Sequence, residues 1–206
     1  MPDPAEQPSN AVRMTEAEYL AFEAGASLRH EYLGGEVRAM SGGTWEHAVV
    51  IANVARFLGN ALEGKPCRVV NNDIRVSVRN RGAYVYPDVP IVCGKPEFPK
   101  PEGEGEHKKI TLLNPAAVVE VLSDSTESRD RGAKFDAYRN LPSMRVYVLV
   151  ATDRPAVTAF TRHGSGLWAI ELWEGLDTVA ELTAIDASLP LSAVYDGVEF
   201  GDAGGI

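Results

Sequence analysis

The chain has 206 residues, a net charge of −9 and a pI of about 5.0. That length suits one domain with a sizeable core. The acidic balance argues against a protein that grips nucleic acid through net charge alone, because neutralising phosphates takes Lys and Arg; a local basic patch remains compatible with it. No run approaches the roughly 18 apolar residues of a spanning helix, and the N-terminus lacks the basic-then-apolar pattern of a secretory signal. The expectation is therefore a cytoplasmic protein with no membrane association. Cys67 and Cys93 lie in no CxxC or Cys/His cluster, so a zinc site is not expected and two free thiols in a reducing compartment are.

Residues 1–12 are polar and Pro-containing and read as a tail; residues 13–200 read as one domain. Thr15-Glu16-Ala17-Glu18 has the form of a capping box, so a helix should start near Thr15, turn Tyr19, Leu20 and Phe22 inward, and end by Gly25. Gly34-Gly35 is a hairpin signal with alternation on both sides. After Gly42-Gly43-Thr44 a longer helix is predicted over 45–62, because Val50, Val54, Phe57, Leu58 and Leu62 recur at helical spacing. His47 falls in its first turn. Residues 67–78 alternate as a strand. Residues 84–92 read as a second strand interrupted by Pro87 and Pro90, hence an edge strand or one bent at Pro87, with Asp88 presented at the bend. Residues 94–109, rich in Pro, Glu and Gly, read as a mobile surface loop.

Val118-Val119-Glu120-Val121-Leu122-Ser123 is the stretch on which a functional reading turns. It is a Val-rich strand pattern with one carboxylate in its middle. A buried carboxylate without a partner costs several kcal/mol, so such a residue is normally paired or metal-bound. The ordinary alternative is a Glu at the strand's end or on its solvent face. Beyond a polar turn at 123–128, a helix is predicted over 129–140, stopping before Pro142. Asp130, Lys134 and Tyr138 are four apart and share one face of it. The ordinary alternative is a solvated Asp–Lys pair. Residues 144–150 read as an apolar strand, 156–162 and 167–173 as a hairpin around Gly164-Ser165-Gly166, and Leu189 onward as irregular.

Two strand-borne acids, Asp88 and Glu120, suit a hard divalent cation, because like charges brought together need a cation or a proton. Lys134 would point back at them to orient a water or stabilise developing charge. Arg129, Arg131 and Arg139 could meet phosphates, although one helix face cannot bring all three to one site.

Tyr86-Pro87-Asp88, then Val118 to Ser123, then Asp130, Lys134 and Tyr138 resemble the PD-(D/E)XK nuclease superfamily and, within it, a large bacterial restriction-endonuclease family of unassigned target. Arg29 to Glu36 and His47 are similar to that family too. The resemblance spans about residues 14–198. It implies an α/β (α+β) restriction-endonuclease-like core, a mixed central sheet flanked by helices. It also implies Mg²⁺, with Mn²⁺ as substitute, held by Asp88, Glu120 and Glu31. One departure stands out: the superfamily places Lys two residues after the acid, where this chain has Leu122, and Lys134 is the natural substitute. The expected function is Mg²⁺-dependent hydrolysis of DNA phosphodiester bonds by Asp88, Glu120, Lys134 and Glu31. A homodimer is suggested only by analogy with the two strands of a duplex. The rival reading is a non-catalytic nucleic-acid- or protein-binding module on a decayed nuclease fold; a weaker one is hydrolysis of another phosphoester.

Overall fold

The computed structural model describes residues 12–40, 42–78, 81–100 and 110–200. Helix α1 (Glu16–Gly25) starts at the predicted box: Thr15 Oγ1 accepts from the Glu18 N–H, and the Glu18 carboxylate accepts from the Thr15 N–H. Tyr19 is fully buried, but Phe22 is 41 % exposed and lies edge-on to His30 instead of entering the core. Strands β2 (His30–Leu33) and β3 (Glu36–Ala39) form the expected hairpin. Gly34 and Gly35 take φ of 61° and 88° at its turn, a conformation that glycine adopts without steric cost. Strand β1 (Val12–Arg13) adds to β3, so residue 12 belongs to the sheet and not to the tail. Helix α2 (Trp45–Ala61) is capped by Thr44 and buries Val50, Val54 and Leu58.

The run expected as one strand over 67–78 is two: β4 (Cys67–Val69) and β5 (Arg75–Val78). Asn71 Oδ1 accepts from the Asp73 N–H between them, a local turn that ends the first strand. Residues 83–93 divide likewise into β6 (Ala83–Val85) and β7 (Val89–Cys93), with the chain bending at Pro87 as predicted. Then come β8 (Thr111–Leu112) and β9 (Ala117–Val121). The expectation of a loop over 94–109 falls largely on residues 101–109, which lie outside the described residues.

The helix predicted over 129–140 begins earlier. It runs through α3 (Glu127–Arg129), a wide π-type turn (Asp130–Lys134) and α4 (Phe135–Tyr138). Strand β10 (Val146–Val150) follows, then the hairpin of β11 (Ala156–Arg162) and β12 (Trp168–Glu174). The expectation of irregularity from Leu189 onward is corrected over residues 189–194. Strands β13 (Val179–Leu182) and β14 (Ala187–Pro190) pair, and α5 (Leu191–Val194) packs with them against α2, burying Leu182, Leu189, Leu191 and Val194.

Two six-stranded mixed sheets result, ordered β1-β3-β2-β6-β5-β8 and β12-β11-β10-β9-β7-β4. In the second, β9 lies between β10, parallel to it, and β7, antiparallel to it. Strand β7 is therefore an interior strand, which removes the edge alternative; Pro90 lacks an N–H, but its carbonyl still accepts from Val70. One face of this sheet packs on α2, β13, β14 and α5 around Val119, Val121, Val148 and Leu189. The other packs on α4 and strands of the first sheet around Val118, Leu122, Tyr138 and Tyr147. Cys67 and Cys93 face each other in the β4–β7 register and are joined by a disulfide, correcting the expectation of two free thiols. Their separation of 26 residues concealed a cross-strand pair, because each strand had first to be assigned to the same sheet.

Candidate active site

Alternation along β9 decides what Glu120 meets. Val119 and Val121 point toward α2, so Val118, Glu120 and Leu122 point the other way, under the helix that carries Lys134. Val89, the first residue of β7, pairs with Val119 across the β7–β9 ladder, which brings the preceding Asp88 to the end of β9. Asp88 Oδ2 accepts from the Val121 N–H at 2.8 Å, which ties the bend after Pro87 to the end of β9. The two acids predicted from separate strands thus line one cleft, near enough for the charge of Asp88 to act on Glu120.

Lys134 reaches this pair. Its Nζ lies 3.1 Å from Glu31 Oε1, 3.3 Å from Glu120 Oε1 and 3.0 Å from Asp130 Oδ1, with only 5 % of the residue exposed. The wide turn brings Asp130 and Lys134 onto the buried side together, a distortion that recurs at functional sites. Leu122 fills the apolar corner beside them, so the ammonium comes from the helix and not from the strand. Tyr138 OH donates to Glu120 Oε1 at 3.3 Å, completing the predicted Asp130, Lys134, Tyr138 face.

Glu31 arrives from the first sheet and is fully engaged. Its Oε1 takes Lys134 and the Tyr86 N–H (3.2 Å), and its Oε2 takes Arg129 Nη1 at 3.3 Å. Arg131 and Arg139 stay at the surface on Glu127 and Asp136. His47 Nε2 donates to the Val121 carbonyl at 3.0 Å and lies 3.7 Å from Asp88 Oδ2. Gly43 makes room for that ring: a Cβ there would fall 2.4 Å from His47 Nδ1.

The electrostatics follow from burial. Glu120, 2 % exposed, has its pKa pushed well above the usual carboxylate value. Burial is the main cause, joined by the charges of Asp130, Asp88 and Glu31 and opposed by Lys134. Asp88 is raised as well, by burial first, against the Val121 N–H, His47 and Lys134. Burial alone would lower Lys134, but Glu120, Glu31 and Asp130 overcome it and hold its pKa well above the ordinary lysine value. These directions agree if Lys134 stays charged and the crowded acids, Glu120 foremost, are short of positive charge.

A divalent cation fits that shortage. Four carboxylates face two permanent cations, Lys134 and Arg129. Asp88 Oδ1 and Glu120 Oε2 have no hydrogen bond or ion pair among the described residues. All line one cleft of about 550 Å³. Among the described residues no three His, Cys, Asp or Glu side chains form a group able to hold a metal. A cation held there would take two carboxylates and complete its shell with solvent, as Mg²⁺, which keeps several waters, can do.

A family model described as "Uma2: Putative restriction endonuclease" matches residues 16–192. The chain belongs to this family. Among relatives of this Uma2-family chain, the uncharacterized protein slr1290 of Synechocystis sp. is 32% identical over 188 residues, covering 91% of this chain and 94% of that protein. The uncharacterized protein sll1609 of the same organism is 27% identical over 157 residues, covering 76% and 85%. The crystal structure of a putative nuclease belonging to DUF820 from Anabaena variabilis superposes with a TM-score of 0.72, covering 90% of this chain and 99% of that one at 14% identity. That likeness is one of fold, and the fold is restriction-endonuclease-like. Within it, sequence reasoning missed the pairing of Arg129 with Glu31. A single arginine among three on one segment carries no signal until the helix is placed against the first sheet.

Proposed function

We propose that the chain is a Mg²⁺-dependent endonuclease that hydrolyses DNA phosphodiester bonds at the Asp88–Glu120 pair. The observation that carries this is the pairing itself: a buried Glu120 and a half-buried Asp88, both with raised pKa and each with one oxygen free of partners among the described residues, beside a lysine that stays charged. Asp88 and Glu120 would hold the cation. Bound there, it supplies a Lewis acid for the scissile phosphoryl oxygen and acidifies a water.

The chain's own residues do the rest. Lys134, pinned by three carboxylates, is a fixed positive charge next to Glu120 and screens the charge that develops at the phosphate. Glu31, expected as a third ligand, serves better as the anchor of Lys134 and Arg129, since both its oxygens are occupied. Tyr138 donates to Glu120 and holds its rotamer. His47 and the Val121 N–H fix Asp88 from either side. Leu122 in place of the superfamily's Lys does not empty the cation position, because Lys134 stands beside Glu120 from the helix.

The test is cleavage of supercoiled, linear and single-stranded DNA under a Mg²⁺ and Mn²⁺ titration, with wild type, Asp88→Asn and Glu120→Gln purified identically. Metal-dependent cleavage in the wild type and loss in both variants is the expected result. Equal activity in Glu120→Gln would mean a contaminant. No cleavage by the wild type, with metal-independent DNA binding, would favour the non-catalytic module.

A further inference from the structure

Two arginines beside the acidic pair are only half used by the protein. Arg129 gives Nη1 to Glu31, but its Nη2 is buried and meets no acceptor. Arg38 stands directly opposite Glu31 in the β2–β3 ladder, so their side chains share a face of that sheet. Its Nη2 rests on Glu36 Oε2 at 3.3 Å, while its Nε is likewise buried without an acceptor. Both residues line the cleft that holds Asp88 and Glu120.

Buried N–H groups without acceptors are rare unless a ligand, ion or water completes them. Four buried side-chain atoms lack a hydrogen-bond partner among the described residues, and three of them belong to residues of this cleft: Arg38 Nε, Arg129 Nη2 and Asp130 Oδ1. The third has its ion pair to Lys134; the two donors have nothing. What they lack is an acceptor oxygen. A guanidinium anchored by one edge presents its remaining N–H groups in a fixed plane, an arrangement that suits tetrahedral oxyanions. Glu31 anchors Arg129 in this way, and Glu36 anchors Arg38. The hydroxyls of Ser125 and Thr126 share the lining, so the space between is polar.

We propose that Arg129 Nη2 and Arg38 Nε form the phosphate clamp of the cleft, seating one phosphate of the substrate beside Asp88 and Glu120. The nucleic-acid identity of that ligand rests on the nuclease reading; its oxyanion chemistry rests on the two orphaned donors. Glu31 then has two tasks, holding the lysine that faces the metal pair and the arginine that faces the phosphate. Lysine cannot replace either arginine, because an ammonium spent on its anchoring glutamate has no rigid second edge to offer.

The test uses the full chain with Arg129→Lys, Arg129→Gln, Arg38→Lys and Arg38→Gln, each checked for a native thermal melt. Binding of inorganic phosphate and of a thymidine dinucleotide phosphodiester is measured by calorimetry with Ca²⁺ present, KM and kcat by DNA cleavage, and Mn²⁺ affinity by electron paramagnetic resonance. All four variants should bind the dinucleotide about 10- to 100-fold more weakly and raise KM alike, the loss of one hydrogen bond to a charged group. Mn²⁺ affinity should not fall, and lysine should not rescue. Wild-type binding by lysine variants would overturn the clamp, as would loss of Mn²⁺ affinity or undiminished ligand binding in the glutamine variants. Should the wild type cleave nothing, the calorimetry still decides: dinucleotide binding lost in Arg129→Gln upholds the clamp while the nuclease reading falls. Inorganic phosphate bound without the dinucleotide would assign the clamp to a free phosphate. Neither bound by the wild type would overturn it.

Discussion

Lys134→Met removes the charge at the centre of the site and keeps the side chain's length. The ammonium lies within 3.3 Å of oxygens of Glu31, Glu120 and Asp130, all of them buried. Removing one partner of a buried ionic cluster costs about 3–5 kcal/mol, because the charges left behind are uncompensated. For a domain of this size each kcal/mol shifts the melting temperature by about 2–4 °C, so a fall of roughly 6–20 °C is expected. The deficit must depend on pH with a defined sign. The lysine's folded pKa is raised, so its stabilisation is complete below the ordinary lysine value and is lost only as pH rises through the folded one. Without it, Glu120 sits still further above its unfolded value, so its protonation relieves the variant as pH falls. The gap between variant and wild type should therefore widen from about pH 5 upward. Mn²⁺ affinity should rise, since a competing cation is gone, while cleavage falls by about 10²–10³-fold with the loss of a charge acting on the transition state. The assay is thermal unfolding without metal across that pH range, together with calorimetric Mn²⁺ titration. A variant melting within about 2 °C of wild type at every pH, equivalent to less than about 1 kcal/mol, would refute the argument that Lys134 balances this cluster.

Glu120→Gln should act in the opposite direction on the metal-free protein. The folded pKa of Glu120 is raised by burial, so its share of stability is complete below its unfolded value near 4.5 and is lost as pH rises through the folded value. The amide cannot lose it, and should melt higher than wild type at neutral pH while binding no Mn²⁺; a lower melting temperature would contradict the burial argument. Cys67→Ser with Cys93→Ser, or reduction of the pair, should cost about 3.5 kcal/mol from the closed loop of 26 residues. Thiol titration of the unfolded chain checks that the bond exists, and two free thiols before reduction would refute it. Thr15→Ala should remove about 1 kcal/mol by unmaking the capping box of α1, read by urea unfolding.

Legibility followed the range of the interactions. The α1 box, the Gly34-Gly35 turn and the buried stripe of α2 are local devices, and each formed where the sequence predicts it. The bend at Pro87 was also legible, because proline's missing N–H is a local fact. That residues 67–78 and 83–93 each divide between two sheets was not: alternation continues across the breaks, and the partner strands lie elsewhere in the chain. The same holds for the Cys67–Cys93 pair. At the site, a lone carboxylate in a valine run and the four-residue spacing of Asp130, Lys134 and Tyr138 were enough to nominate the principal residues. Glu31's double engagement and the orphaned donors of Arg38 and Arg129 were invisible, since they depend on how the first sheet meets the helix after β9.

The central claim is that Asp88 and Glu120 share one divalent cation. A crystal equilibrated with Mn²⁺, with anomalous differences collected at the manganese edge, tests it directly. The account predicts one strong peak about 2.1 Å from an oxygen of each carboxylate, the distance expected for a hard cation on oxygen ligands, with Lys134 still bound to Glu31. No peak between Asp88 and Glu120 at saturating Mn²⁺, or a peak held by Glu31 and Asp130 with Lys134 expelled, would contradict it.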